Sequence, residues 1–442
     1  MYKLTKKFFS SSVLIALFFS SNVIIADNAT PSDVSIKKLE LTKNLFPVPD
    51  EDIDIVIEGI EYDELPPRQG EFAPTLDLKF RSGPLYSLAN SVFISKDNDI
   101  KYINIAREVP LKHSEIGNLK ALKGLALTTR NISNGKKLYL PSSLKYLLIR
   151  SPIEEISGNL NALKYAYIRN DGIKKIPCFS TMSNLEHLEI IHTGIETLHL
   201  GDTPAPQLRE LEFIYNKQFK GTLDITQFKN LEKAFLRGQT PIAPVDISTL
   251  TKLNRLVLDT PLTDKGIVLP TNLVHLDYTC QNCSQTPDIS QLKNLTYARF
   301  SGPEFTGLPN IPAPEKLEEL HLENTSITTI QGLEKFTNLK RLSINTSQIR
   351  KIENLEQLPQ LTYLSLSGNQ ISKIENIKKL VNLDTLNLEE NPITTVDFTE
   401  FDHLGGALIK LYGTPYDDTM STDDYRKFSK LARQKRTPEK SQ

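Results

Sequence analysis

The sequence predicts an α/β solenoid, a stack of short coils in which each coil adds one strand to a parallel sheet. Three consecutive 22-residue frames carry this reading. They place apolar residues at positions 1, 4, 6, 11, 14, 17 and 20: Leu317, Leu320, Leu322, Ile327, Ile330, Leu333 and Phe336; Leu339, Leu342, Ile344, Ile349, Ile352, Leu355 and Leu358; Leu361, Leu364, Leu366, Ile371, Ile374, Ile377 and Leu380. All 21 positions are filled in a chain that is only 39% hydrophobic, so chance does not explain the pattern. Positions 4 and 6 alternate with polar neighbours, the two-residue period of a half-buried strand. Positions 11, 14, 17 and 20 step by three, which suits a tight turn or 3₁₀ path on the far side. The 442 residues would fill two or three globular domains, but a periodic array can spend them on one elongated body.

Position 9 holds Asn369 and Asn391, or the hydrogen-bonding substitutes Thr325, Ser347, Thr193 and Thr414. A side chain buried at that corner can satisfy backbone groups that the strand leaves unpaired. Extending the frame gives strand starts at Ile100, Leu122, Leu144, Leu163, Leu185, Leu208, Leu231, Leu253, Leu273, Leu295, Leu317, Leu339, Leu361, Leu383 and Gly406, which is 15 coils spaced 19 to 23 residues apart. Upstream the pattern loosens. Pro152, Pro261 and Pro303 replace the asparagine, and Ala166, Ala234 and Ala298 replace the leucine at position 4.

These residues resemble the leucine-rich-repeat family. Leu361-Thr362-Tyr363-Leu364-Ser365-Leu366-Ser367-Gly368-Asn369-Gln370-Ile371 matches the strand signature LxxLxLxxNxL at every fixed position. The 22-residue period is similar to that of bacterial internalins and phosphatase-regulatory repeat proteins. The resemblance covers residues 100–415 and implies a curved array with a parallel sheet on its concave face and short 3₁₀ or turn segments on its convex face. Bacterial ubiquitin ligases that carry such repeats also need a large catalytic domain with a nucleophilic cysteine, whereas about 27 residues follow the last repeat here and none is cysteine.

The ends differ from the array. Lys3, Lys6 and Lys7, an apolar stretch over 13–19 and then Val23, Ile24, Ile25 and Ala26 read as a signal peptide over residues 1–26. An uncleaved anchor competes, because residues 8–26 are long enough to span a bilayer, but Ser10, Ser11, Ser12, Ser20, Ser21 and Asn22 weaken it. Residues 27–99 are acidic and proline-containing, with alternating Ile53, Ile55, Ile57 and later Val92, Ile94, and are expected to form a β-rich flank or N-terminal cap. Residues 416–442 are expected to form a helical cap and basic tail, with Thr422, Asp423 and Asp424 starting a helix whose stripe of Tyr425, Phe428, Leu431 and Ala432 closes the stack. With no second apolar segment or wall-sorting signal there, the mature protein is expected to be soluble or loosely associated with the envelope.

Net charge is -1, from 52 basic and 53 acidic residues, so no global field directs the chain to nucleic acid or membrane. Three cysteines are too few for a disulfide scaffold. Cys280-Gln281-Asn282-Cys283 has the spacing of a redox pair or zinc half-site, but Cys283 falls at position 11, where other coils place isoleucine. Cys178 lies about five coils away, roughly 25 Å, and cannot reach either. His187 and His192 flank Glu189 with a spacing of five, not the four of a helical zinc motif. The acidic run from 50 to 61 has Ile55 where a calcium loop requires glycine. No cofactor motif or catalytic constellation stands out, so neither cofactor nor metal is expected, and the chain reads as a non-enzyme.

In the family, positions 2, 3, 5, 7 and 8 point outward from the sheet. In the first four coils these number twenty, seven of them basic and none acidic; Lys101, Tyr102, Arg107, Lys123, Lys145, Tyr146, Arg150, Lys164, Tyr165, Tyr167 and Arg169 are among them. His192, Tyr215, Phe235 and Arg237 extend this basic and aromatic strip, while Glu318, Glu319, Glu323, Asp384, Glu389 and Glu390 make the far end acidic. The strip is the expected contact surface for a protein partner, since Tyr and Arg dominate interface energies. Similarity to internalins implies an exported recognition protein facing a host-surface or envelope protein. The alternative is a structural scaffold within the bacterial envelope.

Overall fold

The computed structural model describes residues 116–128, 136–238, 246–259, 267–279 and 287–433, together with four earlier strands. The chain divides into two compact units, Met1–Gly221 and Thr222–Gln442. In the first, β1 (Val23–Ile25), β2 (Asp54–Ile57), β3 (Ser91–Ile94), β4 (Ile100–Ile105), β5 (Gly124–Leu127), β6 (Lys137–Tyr139), β7 (Tyr146–Ile149), β8 (Glu155–Ser157), β9 (Tyr165–Ile168), β10 (His187–Ile191) and β11 (Glu210–Ile214) follow in order. β4, β5, β7, β9, β10 and β11 pair in parallel in that sequence. β3 joins β4 antiparallel, with β2 and then β1 parallel beyond it. β6 and β8 form a separate parallel pair. The second unit is built from β12 (Lys233–Arg237), β13 (Arg255–Asp259), β14 (His275–Thr279), β15 (Tyr297–Ser301), β16 (Glu319–Glu323), β17 (Arg341–Asn345), β18 (Tyr363–Ser365), β19 (Thr385–Asn387) and β20 (Leu408–Lys410), each parallel to the next. Each unit is a parallel-sheet solenoid, as the periodicity predicts.

The strand register is the 22-residue frame made physical. Position 4 pairs with position 4 throughout: Leu188 with Ala166, Leu320 with Leu342, Leu386 with Ile409. Leu125, Leu147, Leu188, Leu320, Leu342 and Leu364 are buried at position 4; Leu127, Ile190, Phe213, Phe300 and Leu366 are buried at position 6. The alanines that loosen the pattern, Ala166, Ala234 and Ala298, keep the same inward place and are equally buried. Each large side chain removed from water in these columns contributes about 1.5–3 kcal/mol, and the columns run the length of each unit.

Corners decide whether the backbone can follow. Asn369 Nδ2 donates to Ile344 O (2.6 Å) and Leu366 O (2.9 Å), while its Oδ1 accepts from Ile349 N (3.0 Å). Asn391 repeats the arrangement one coil on, with Nδ2 donating to Leu366 O and Oδ1 accepting from Ile371 N. Thr325 and Ser347 replace it with a hydroxyl pair at 2.7 Å. Asn216 occupies the same position in the first unit, accepting from Thr193 N and Thr193 Oγ1 and donating to Ile190 O. Just before this corner, position 8 turns left-handed: His192, Tyr215, Asn324, Thr346, Gly368, Glu390 and Gly413 all have positive φ. The turn lets the position-8 N–H extend the ladder onto the next coil, as in Thr346 N to Ser367 O and Glu390 N to Tyr412 O. Glycine and asparagine suit it; His192, Tyr215, Thr346 and Glu390 adopt it against their steric preference.

On the far side, 3₁₀ turns at Ile225–Gln227 and Phe398–Glu400 start on Asp224 and Asp397, whose carboxylates accept from Thr226 N and Thr399 N. Asp246 and Asp288 make the same bond to Ser248 N and Ser290 N. This Asp-x-Ser/Thr motif recurs in four coils and is visible in the sequence.

The C-terminal helix Thr422–Arg433 closes the second unit: Phe428 packs on Phe398 and Phe401 at 4.9 and 5.8 Å, and Gly406 N donates to Leu431 O. Its inward stripe is narrower than expected. Phe428 and Leu431 turn in, but Tyr425 is 67% exposed and Ala432 is also outside, because residues 424, 428 and 431 share the face that meets the coil. Of the expected signal segment, only Val23–Ile25 falls among the described residues, as β1; the rest, the greater part of 27–99, the acidic run apart from β2, and Cys280 and Cys283 lie outside them. Cys178 is a free thiol, its Sγ 3.1 Å from Ser180 Oγ.

Leu364→Ala is expected to cost about 2–5 kcal/mol, as for other large-to-small changes in packed cores. Thr362→Ala, one residue before the same strand and half-exposed, is expected within about 0.5 kcal/mol of neutral. Equal costs in denaturant melts would put the frame out of register.

Candidate binding face

The side chains that face away from each unit's core are set by the same frame, and the parallel register stacks equivalent positions of adjacent coils. In the first unit, position 3 holds Tyr146, Tyr165 and His187 on β7, β9 and β10. Their rings stack in sequence, Tyr146 on Tyr165 at 5.5 Å and Tyr165 on His187 at 4.7 Å, with interplanar angles of 14° and 15°. All three are half-buried. His187 Nδ1 then lies 3.0 Å from Glu210 Oε2 on β11. Burial, reinforced by Glu186, pushes the Tyr165 hydroxyl up to about 12, so it stays a neutral donor.

The basic residues flank this stack. Lys145 and Lys123 are partly exposed, and Arg169 is exposed beside Asn170 at the end of β9. Lys164 is exposed but paired with Glu186 at 3.3 Å, so the lysine ladder ends on an acid at the fifth coil. Lys101 and Tyr102 lie on β4, and their side chains fall outside the described residues, as does Arg107. Tyr167 is corrected: it is only 3% exposed, with the Arg150 guanidinium 4.9 Å over its ring. Ala126 and Leu148 at the same position are equally buried, so position 5 in these coils lies too deep between its neighbours to present itself. A second aromatic pair stands at position 8, where His192 stacks on Tyr215 at 5.3 Å and Tyr215 is 39% exposed.

In the second unit the face satisfies itself. Asp277, almost fully buried, accepts from Arg299 Nη1 (3.0 Å) and Arg237 Nη2 (3.1 Å), and Arg299 Nη2 donates to Glu323 (2.6 Å). Burial disfavours the Arg299 charge, but the Glu323 bond and the two carboxylates outweigh it and raise its pKa. Arg237 is therefore bound within its own unit. Phe235 is half-buried, with the Arg255 guanidinium 5.3 Å over its ring. Beside this network His275 stacks on Tyr297 at 3.8 Å, nearly coplanar, and the Arg341 guanidinium lies 4.1 Å over the Tyr363 ring. His275, Tyr297, Asp277 and Arg299 were not among the residues expected from sequence. They occupy positions 3 and 5 of consecutive coils, and the signal in the sequence was the opposite charge of Asp277 and Arg299 at position 5 of neighbouring coils.

The comparisons with known proteins bear on the fold. The family pattern for leucine-rich repeats in two copies matches residues 315–357 and 359–403. These segments are leucine-rich repeats. No curated sequence matches the chain closely enough to count as a relative. Among solved structures, a leucine-rich-repeat protein of Leptospira interrogans is similar over 74% of this chain and 91% of its own, at 19% identity and a TM-score of 0.51. An internalin of Listeria monocytogenes is similar over 78% and 91%, at 19% identity and 0.39. The leucine-rich effector YopM of Yersinia pestis is similar over 70% and 86%, at 17% identity and 0.49. Identities this low speak to fold alone. In the first unit the strand register alone sets Lys123, Lys145, Tyr146, Arg150, Lys164, Tyr165, Arg169, His192 and Tyr215 on or just beside β5, β7, β9, β10 and β11.

One consequence of the second face is readable by pH. Burial, the Arg255 guanidinium and His321 together lower the His275 pKa to about 3, against 6.5 unperturbed. The unfolded chain therefore binds a proton near pH 6.5 that the folded chain refuses until near pH 3, and stability falls as pH drops through that window. His275→Phe keeps a ring on Tyr297 and is expected to flatten the fall in melting temperature between pH 6.5 and 4 relative to the parent. Parallel curves for the two proteins would show that His275 titrates normally.

Proposed function

We propose that this is an exported binding protein, not an enzyme, which recognises another protein through the strand face of its first unit. The observation that carries the reading is the in-register stack of Tyr146, Tyr165 and His187. Three half-buried rings on adjacent strands form a rigid apolar strip whose side chains have little freedom left to lose on association, and Lys145 and Arg169 supply a charged rim. The partner class is a protein with an acidic surface, on a host cell or in the envelope. The leader-like residues 1–26 support export, with a mature terminus at Asp27 and with β1 removed by cleavage. A role in host interaction rests on the likeness to internalins.

A scaffold role in the envelope is the second reading, favoured by the second unit, whose Arg237, Asp277, Arg299 and Glu323 already saturate one another.

The test begins by capturing partners from host-surface and envelope extracts with the mature protein and purifying the one that binds. Tyr165→Ala with Arg169→Ala is expected to weaken that binding by about 30-fold or more, the range of interface hot spots, with affinity in the parent falling as salt rises. Loss of two ring contacts is expected to cost about 1–2 kcal/mol of stability and leave the chain folded. Tyr363→Ala with Arg341→Ala removes similar chemistry from the second unit and is expected to leave affinity within about threefold, as for peripheral substitutions. Equal losses from the two pairs, or none from the first, would contradict the assignment.

A further inference from the structure

The C-terminal helix has a second face that closing the repeat array does not use. Phe428 and Leu431 point inward, and Lys427 is held across the top of the packed rings, with Nζ 4.5 Å over Phe398 and 2.9 Å from Asp424 Oδ1. Tyr425, Arg426, Ser429, Lys430 and Arg433 line one open groove on the other side. Arg426 is paired with Asp423 at 3.0 Å, whereas Lys430 and Arg433 have no acidic partner among the described residues. The Tyr425 ring is 67% exposed beside them. Residues 422–442 carry seven lysines and arginines against three acidic residues, in a chain whose net charge is -1. This segment is thus locally basic.

We propose that this helix face adsorbs the protein peripherally onto an anionic phospholipid bilayer. The cations are strung along a helix about 18 Å long and do not converge on one point, so they match a plane of headgroups better than a single phosphate. An exposed tyrosine next to lysine and arginine belongs at headgroup depth, where its ring is half in apolar surroundings and its hydroxyl is wet. The apolar stripe that an inserting helix would bury in lipid is occupied by Phe398 and Phe401, so attachment is electrostatic and reversible. This surface is separate from the stacked rings of the first unit and does not depend on their role.

Co-sedimentation of the mature full chain with vesicles tests the proposal. Binding is expected to vesicles of phosphatidylcholine mixed with phosphatidylglycerol and not to phosphatidylcholine alone, and to fall as salt rises. Each lysine or arginine near an anionic surface is worth about a fivefold factor, so Lys430→Glu with Arg433→Glu is expected to weaken binding by about 25-fold or more. Circular dichroism verifies that this variant keeps its fold, since neither side chain packs inward. Lys123→Glu with Lys145→Glu, in the first unit, is expected to leave vesicle binding unchanged. The proposal is overturned if neutral vesicles bind equally, if the helix variant binds like the parent, if the first-unit variant is the one that fails, or if soluble dextran sulfate is bound while vesicles are not.

Discussion

The buried asparagine corner is the constraint on which the rest of the structure depends. A coil of about 22 residues reverses direction twice, and each reversal strands backbone donors and acceptors inside the protein. An unpaired group there costs about 1–3 kcal/mol, more than the net worth of most hydrogen bonds. Asn369 and Asn391 resolve this by reaching across coils: each carboxamide accepts from an amide of the preceding coil and donates to carbonyls of its own and the preceding coil. The same side chain therefore closes one turn and ties it to the next. It thereby supports the leucine columns, because positions 4 and 6 reach the core only if the chain returns to the same register each time.

That division of labour leaves the outer strand face open to other chemistry, though less of it than the alternation suggests. Positions 3 and 8 carry the aromatic stacks of the first unit, whereas Tyr167, Ala126 and Leu148 at position 5 sit too deep to be offered. The left-handed corner adds a cost at His192 and Tyr215 that glycine avoids in other coils. In the second unit position 3 holds a neutral His275 against Tyr297, and positions 5 and 7 hold a chain of ion pairs around the buried Asp277. Removing one member of that chain would leave a buried charge uncompensated, so its value lies in fixing the face more than in stabilising the fold.

Much of the fold was legible because the period is a packing rule. Three regular frames sufficed to set the register, and the frame then passed through Ala166, Ala234 and Ala298, which fail the leucine pattern but keep the inward place. The less legible parts depend on neighbours one or two coils apart. Asn216 stands at position 9 in a coil whose strand has glutamates and phenylalanine, and its role shows only once Thr193 is seen against it. The contact of Arg237 with Asp277 spans 40 residues, and the exposure of Tyr425 depends on which helix face meets Phe398 and Phe401. Composition carries none of this, since it is fixed by pairing and rotation.

Amide hydrogen exchange in an Asn391→Ala variant tests the corner most directly. Asn391 Oδ1 is the acceptor for Ile371 N at 3.0 Å, and the alanine removes it without touching the leucine columns. The Ile371 amide is expected to lose most of its protection, while the Ile349 amide, held by Asn369, keeps more of its own, and the whole is expected to be less stable by at least about 2 kcal/mol. An Ile371 amide that exchanges at the parent rate, in a variant as stable as the parent, would contradict the account.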